Sequence, residues 1–301
     1  MTMTMVEFLK TEAPAQEKAV AAKFTESEPF FRVWPMETRA QSGVPFNQQT
    51  ALPTTTNRAV GESWTASAGT VQPGFEPMKL QGGISNFDDF QVKTGSGARR
   101  QQEAGAFIES VGRNYLRDII KGDDSSDPRI IRGLQLRLVT SGTNLLAESA
   151  GAATITRMLQ VKRMVRNPTH WFMSPALRDK FVIASLATGV SGYVTRTNNE
   201  IGTDVAVVCG LPIVAIDRDA TDTDILGFTE ASSTTSAYCV SLGPLGYHGI
   251  QVAPARAEDL GLDPSNGTQY NTVVNWYASH LLEADRVAAR YSAITDVAVT
   301  L

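Results

Sequence analysis

Between Pro53 and Pro77 the chain runs through Thr, Ser, Gly, Ala and Pro, with Val60, Trp64, Val71 and Phe75 as almost its only large apolar side chains. That is too little apolar surface for a core, and it is longer than the roughly 12–15 residues beyond which a connection is usually functional or disordered. Threonine and tryptophan favour extended backbone and Gly69 offers a turn near the middle, so the pattern predicts a two-stranded projecting hairpin. An isolated hairpin is marginal in water. If ordered, it must be held by something outside itself.

The remainder can pack. Of 301 residues, 42% are hydrophobic and 19% charged, which excludes a disordered chain and predicts one large or two medium domains. The clearest helix runs from about Ala98 to Lys121, where Ala104, Phe107, Ile108, Val111, Tyr115 and Ile119 recur at three- and four-residue steps, with Gly122 as its stop. At about 36 Å it is as long as a small domain is wide. Alternation over 131–140 predicts a strand. Helices follow at 154–166 and, behind Ser174-Pro175 as N-cap and first helical residue, at about 175–186. Strands are predicted at 170–173, at 204–217 interrupted by Gly210-Leu211-Pro212, at 225–228, 237–242 and 248–253, and as long strands over 272–294. The class is α+β, without an internal repeat.

Near the start, a helix-capable piece at 15–24 precedes Pro29-Phe30-Phe31-Arg32-Val33-Trp34-Pro35. Proline at both ends argues against a continued helix, so an extended arm is expected. Its aromatics Phe30, Phe31 and Trp34 need a surface to cover, on this subunit or a neighbour.

Catalytic and binding chemistry finds little purchase. The three histidines, His170, His248 and His280, have no metal-ligand spacing, and Cys209 and Cys239 are too few for a disulfide framework or a multi-cysteine zinc site. Cysteine usage fits a reducing compartment. No serine sits in a G-x-S-x-G elbow, and Gly95-Ser96-Gly97 is a hinge and not a phosphate loop. The aspartates at 123, 124 and 127 and at 217, 219, 222 and 224 fail a calcium-loop pattern, and Asn266-Gly267-Thr268 reads as a turn. No catalytic, cofactor or metal residue is expected. The longest uncharged apolar run, 205–216, is too short for a membrane span, and Met1–Lys10 lacks a signal-peptide core. With 27 Lys and Arg against 31 Asp and Glu, the net charge of −4 removes any chain-wide basic excess for gripping nucleic acid.

In order along the chain, several segments resemble the major capsid proteins of tailed phages, the Hong Kong 97-like family. They are Leu52-Pro53 with Arg58 opening the hairpin, Gly82-Gly83-Ile84 closing it, and Ile120-Lys121-Gly122-Asp123 ending the long helix before Arg132-Gly133-Leu134. Gly210-Leu211-Pro212-Ile213-Val214 and Gly246-Tyr247-His248-Gly249-Ile250 complete the set. The resemblance covers nearly the whole chain after about residue 30. It implies an N-terminal arm (1–50), an extended loop (51–79), a peripheral domain with the spine helix (80–142), an axial domain (143–243) and a return segment (244–301).

The function implied is self-assembly into hexamers and pentamers of an icosahedral shell, assembled in the host bacterial cytoplasm and enclosing double-stranded DNA without reading its sequence. The implied partners are other copies, a separate scaffolding protein, a portal and in some cases a decoration protein; no membrane is involved. Inter-subunit contacts are expected from Phe30, Phe31, Trp34, Arg58, Trp64, Phe75, Arg113 and Arg117. Some family members join subunits through a loop lysine, but here no lysine lies between Pro53 and Met78 and Lys79 sits at the loop base, so a non-crosslinked shell is expected. An encapsulin-type compartment shares the fold and is the alternative, with a soluble hydrolase a distant third.

Overall fold

The computed structural model describes residues 2–5, 7, 15–95, 97–186, 192–198, 204–231, 233–284 and 286–300. Ser96 of the expected hinge, and residues 1, 6 and 8–10 of the N-terminus, lie outside them. The strands are β1 (Thr2–Thr4), β2 (Pro35–Thr38), β3 (Gly43–Ala51), β4 (Thr70–Pro77), β5 (Lys79–Asp88), β6 (Leu145–Gly151), β7 (His170–Met173) and β8 (Val194–Asn198). They continue as β9 (Asp204–Val208), β10 (Leu211–Ala215), β11 (Thr234–Val240), β12 (Tyr247–Gln251), β13 (Arg256–Leu262), β14 (Gln269–Leu282) and β15 (Ala288–Thr295). One sheet has the order β1-β2-β12-β14-β13 with β5 also on β14, a second runs β6-β15-β11-β7-β10-β9-β8, and β3 pairs with β4 alone.

The spine helix spans Gly97–Lys121 and lays Ile108, Val111, Tyr115, Leu116, Ile119 and Ile120 into the core of the first sheet. It stops where two glycines meet. Gly133 N–H donates to Gly122 O at 2.8 Å, and a Cβ on Gly133 would stand 2.6 Å from Gly122 N, so no side chain fits at that contact. The second core is built by the helix Ile155–Met164 and the helix Pro175–Ala184, whose Leu177 and Phe181 are fully buried. Ser174 caps the latter, its hydroxyl accepting from Leu177 N–H, and Pro175 occupies the first helical position, where its missing N–H costs nothing. Between β9 and β10, Cys209 and Gly210 both take positive φ, 53° and 77°, as a two-residue hairpin of the primed kind requires.

Three expectations are corrected. The segment 131–140 holds no strand: Leu134–Arg137 is a short helical turn in which Leu138 N–H donates to Leu134 O. Leu134 and Leu138 are buried four residues apart, a spacing that serves a helical turn as well as an alternating strand. Residues 225–228 form no strand either; Asp224 only bridges to Arg218 ahead of a turn.

The third concerns the N-terminus. Pro29 takes helical φ −57° and ψ −26° and opens the turn Phe30–Val33, since proline is tolerated at a helix start. With the helix Ala15–Ser27 and β2, this places residues 15–38 inside the body instead of extending them as an arm. Phe30, Phe31 and Trp34 are all fully buried. Phe30 stacks on Trp34 at 4.7 Å and meets Phe172 of the second sheet at 5.3 Å, and Trp34 meets Tyr247 at 4.8 Å. Each contributes about 1.5–3 kcal/mol by burial alone. They therefore face no neighbour, and their expected role as inter-subunit contacts is withdrawn.

Candidate assembly surface

The hairpin strands reach back to Gly43, earlier than the sequence implied, and pair antiparallel from Gly43 opposite Pro77 to Gln49 opposite Val71, with a shift of register before Ala51 opposite Thr70. Two glycines sit under aromatic rings of the same hairpin: Gly43 against Phe75 and Gly74 against Phe46, where any Cβ would collide with the ring. Beyond the ladder, every residue from Ala51 to Thr70 is exposed. Trp64 is 65% exposed and Phe75 61%, and Leu52, Val60 and Val71 are more than half exposed with them.

The tip nevertheless has a defined shape. Arg58 Nη1 donates to Glu62 O at 2.7 Å, the Glu62 carboxylate accepts from Ala59 N–H at 2.9 Å, and the Arg58 guanidinium stands 5.4 Å above the Trp64 ring. Further down, Thr54 N–H donates to Ser67 Oγ at 2.8 Å. Arg58 and Trp64 meet at the tip, whereas Phe75 lies down the ladder in β4 with its ring against Gly43.

Arg113 and Arg117 lie elsewhere, on the spine helix. Arg113 pairs with Glu109 at 2.8 Å and faces the buried Glu28 at 3.4 Å, while Arg117 holds Asp118 at 2.9 Å. Both are engaged within the chain. Desolvation pushes the Glu28 carboxyl up to about 7 against the pull of Arg113.

A further exposed apolar surface escaped the sequence reading. Along β5 one face turns inward, with Gln81 bonded to Asp118 and Gly83 against Phe107 of the spine. The other presents Leu80 and Ile84, with Tyr277 of β14 directly opposite Leu80 and Val273 opposite Ile84. Their alternation with polar or small neighbours was the available signal. On the second sheet's side, Ile183, Leu186 and Tyr193 are also exposed.

At the hairpin base the chemistry changes. Glu76 is buried, and both of its oxygens accept from Arg137 Nη2 at 2.7 Å while Ser279 Oγ donates to one of them at 3.1 Å. Arg137 Nε donates to Arg132 O, which lies 2.7 Å from His280 Nε2; Tyr247 OH lies 2.7 Å from Nδ1 of the same ring.

Burial lowers the pKa of all three histidines, with His280 well below the usual value, and raises both thiols, Cys239 to about 12. Asp219 is consumed by Thr221 and Thr223, and Arg218 pairs with Asp222 and Asp224. Among the described residues no three side chains are grouped to hold a metal, and no helix is long and apolar enough to cross a membrane.

No protein-family model and no curated protein matches the chain. Solved structures do. The encapsulin of the holo-SrpI complex from Synechococcus elongatus superposes with a TM-score of 0.67 at 14% identity, covering 95% of this chain and 92% of its own. The capsid of a native GTA particle gives 0.67 at 9% identity over 89% and 90%, and a structure of Mycobacterium phage Bobi gives 0.61 at 12% over 95% and 96%. The chain has the Hong Kong 97-like capsid-protein fold. The motifs around Arg58, Gly82 and Gly122 fall in the loop between β3 and β4, in β5 and just after the helix Gly97–Lys121.

Proposed function

We propose that this chain is the major capsid protein of a tailed double-stranded DNA phage, building hexamers and pentamers of an icosahedral shell and performing no catalysis. The observation that carries this reading is the loop. An unbroken exposed run from Ala51 to Thr70 bears Leu52, Val60 and Trp64 on a pre-shaped tip and touches no core of its own. Covering such side chains with another copy would return about 25 cal/mol for each Å² of apolar surface removed from water. The spine-helix arginines Arg113 and Arg117 are assigned to holding the subunit together, and Arg58, Trp64 and Phe75 to contact between subunits. Scaffolding, portal and decoration proteins are the further partners, and the virion is the location.

The encapsulin reading gains from one finding. An extended arm weighed against it, and residues 15–38 are folded into the body instead. Negative-stain microscopy and sedimentation of the purified chain, alone and with a candidate scaffolding protein, test the shell. Large closed particles are expected, and a rigid monomer under all conditions would refute assembly. The particle contents then separate the readings: DNA for the phage, cargo protein for the compartment.

A further inference from the structure

The hairpin stands away from the body over an open groove of about 610 Å³. Phe46, Gln48 and Gln72 line its hairpin side, and residues 136–140 with Leu282 and Val287 line the other. Two kinds of attachment hold the base of the hairpin to the body. Val44 packs with Met78, Ile250 and Leu281 in a small apolar cluster, and Glu76, directly across the ladder from Val44, takes the two bonds from Arg137. Apolar contacts are non-directional and tolerate rotation. A guanidinium whose Nη2 meets both oxygens of Glu76 while its Nε is held by Arg132 O is fixed at two points, so it sets an angle as well as a distance.

Arg137 is itself oriented. Its Nε donates to Arg132 O at 2.9 Å, and that carbonyl sits one residue before Gly133, whose N–H is bonded to Gly122 at the end of the spine helix. A continuous set of bonds therefore runs from the spine terminus through Arg132 and Arg137 to Glu76 in β4.

We propose that the Glu76–Arg137 pair is an angular clasp that sets the direction in which the hairpin leaves the body and links it to the end of the spine helix. With the clasp closed, the loop tip is presented in one place. With it open, the hairpin pivots about the Val44 cluster into the space above the groove. The consequence for particles rests on the shell reading: a loop that samples several directions offers a neighbour several docking geometries, so particle diameters spread.

The test measures the hinge directly and does not depend on assembly. Spin labels are placed on exposed positions by Val71→Cys and Thr140→Cys in the full chain, where Cys209 and Cys239 are both buried. Pulsed electron resonance then reads the distance distribution between hairpin and body. A single narrow distribution is expected for the otherwise unchanged chain. With Glu76→Gln it broadens roughly two-fold, and with Arg137→Lys, which keeps the charge but loses the second donor that anchors the side chain on Arg132 O, by an intermediate amount. Val44→Ala, which thins the apolar cluster and leaves the pair intact, keeps the narrow width. An unchanged width in Glu76→Gln overturns the proposal, and so does Val44→Ala broadening as much as Glu76→Gln. If Glu76→Gln fails to fold, Arg137→Lys decides by the same criterion. A chain that never forms particles refutes the shell reading while leaving the hinge measurement valid.

Discussion

Two proline-bounded stretches of this chain, 29–35 and 53–77, each carry aromatic side chains, and they end in opposite environments. The first packs Phe30, Phe31 and Trp34 into seven residues and is swallowed by the core; the second spreads Trp64 and Phe75 over twenty-five residues and stays in water. Local apolar density decides the outcome. Three large rings within one helical turn can be desolvated together for the ordering of a few residues, whereas isolated rings in a Thr- and Gly-rich loop would each require a long segment to be fixed. Aromatics of the first kind hold a subunit together, and those of the second remain available to another molecule.

The contrast is most sharply broken or upheld by truncation. Trp34→Ala should cost about 3–5 kcal/mol of subunit stability, read as a collapse of the unfolding midpoint in denaturant and a loss of soluble product. A mild effect would mean that the N-terminal segment is dispensable after all. Trp64→Ala should behave inversely: subunit stability within about 0.5 kcal/mol of the parent, because the ring is 65% exposed and lies under Arg58 at the loop tip, yet particles lost in sedimentation. Parental assembly in that variant would remove the loop from the interface.

A smaller effect sharpens the core side of the comparison. Glu28 is folded in beside the first aromatic group with its pKa raised from 4.5 to about 7, so its ionised form is disfavoured in the native state. Stability from this group is complete below about pH 4.5 and is lost as the pH climbs through 7. Glu28→Gln should therefore gain on the parent between pH 5 and pH 8 by about 1–2 kcal/mol, measured as the difference in denaturant midpoints at the two pH values. A pH-independent difference would mean that Arg113 keeps the carboxylate ionised throughout. Smallest of all, Arg58→Ala should leave the subunit unchanged and loosen only the tip, costing assembly about 0.5–1 kcal/mol from the exposed cation–π contact. Boiled detergent gels of assembled particles should show monomer only, and a covalent ladder would contradict the lysine-free loop.

Much of the fold was legible where local chemistry and final structure agree. The spine helix was placed within one residue because its apolar stripe recurs without interruption, and Ser174-Pro175 carries its own stop and start chemistry. The segment 131–140 was not legible, because Leu134, Leu136 and Leu138 satisfy two periodicities and the choice was made by Gly133 closing on Gly122, a contact between positions distant in pattern though near in chain. The arm failed for a related reason: Pro29 stops a preceding helix and also starts a new turn, and only the pocket formed by Phe172 and Tyr247 selects the second use. On the projecting hairpin, the exposure of Arg58, Trp64 and Phe75 could be read from the composition of their surroundings. Glu76 and Arg137 could not, since 61 residues separate them and neither lies in a marked motif.

The pairing of β2 with β12 also bears on how the chain is made. Trp34 meets Tyr247, and Met36 lies opposite Gly249, so these two side chains find their seats only after more than two hundred further residues have been synthesised. At about 5–20 residues per second, that leaves greasy side chains unshielded for roughly 10–40 s while the nascent polypeptide is still tethered to the ribosome. Such a delay makes the newborn chain a natural client for chaperones that guard exposed hydrophobic segments.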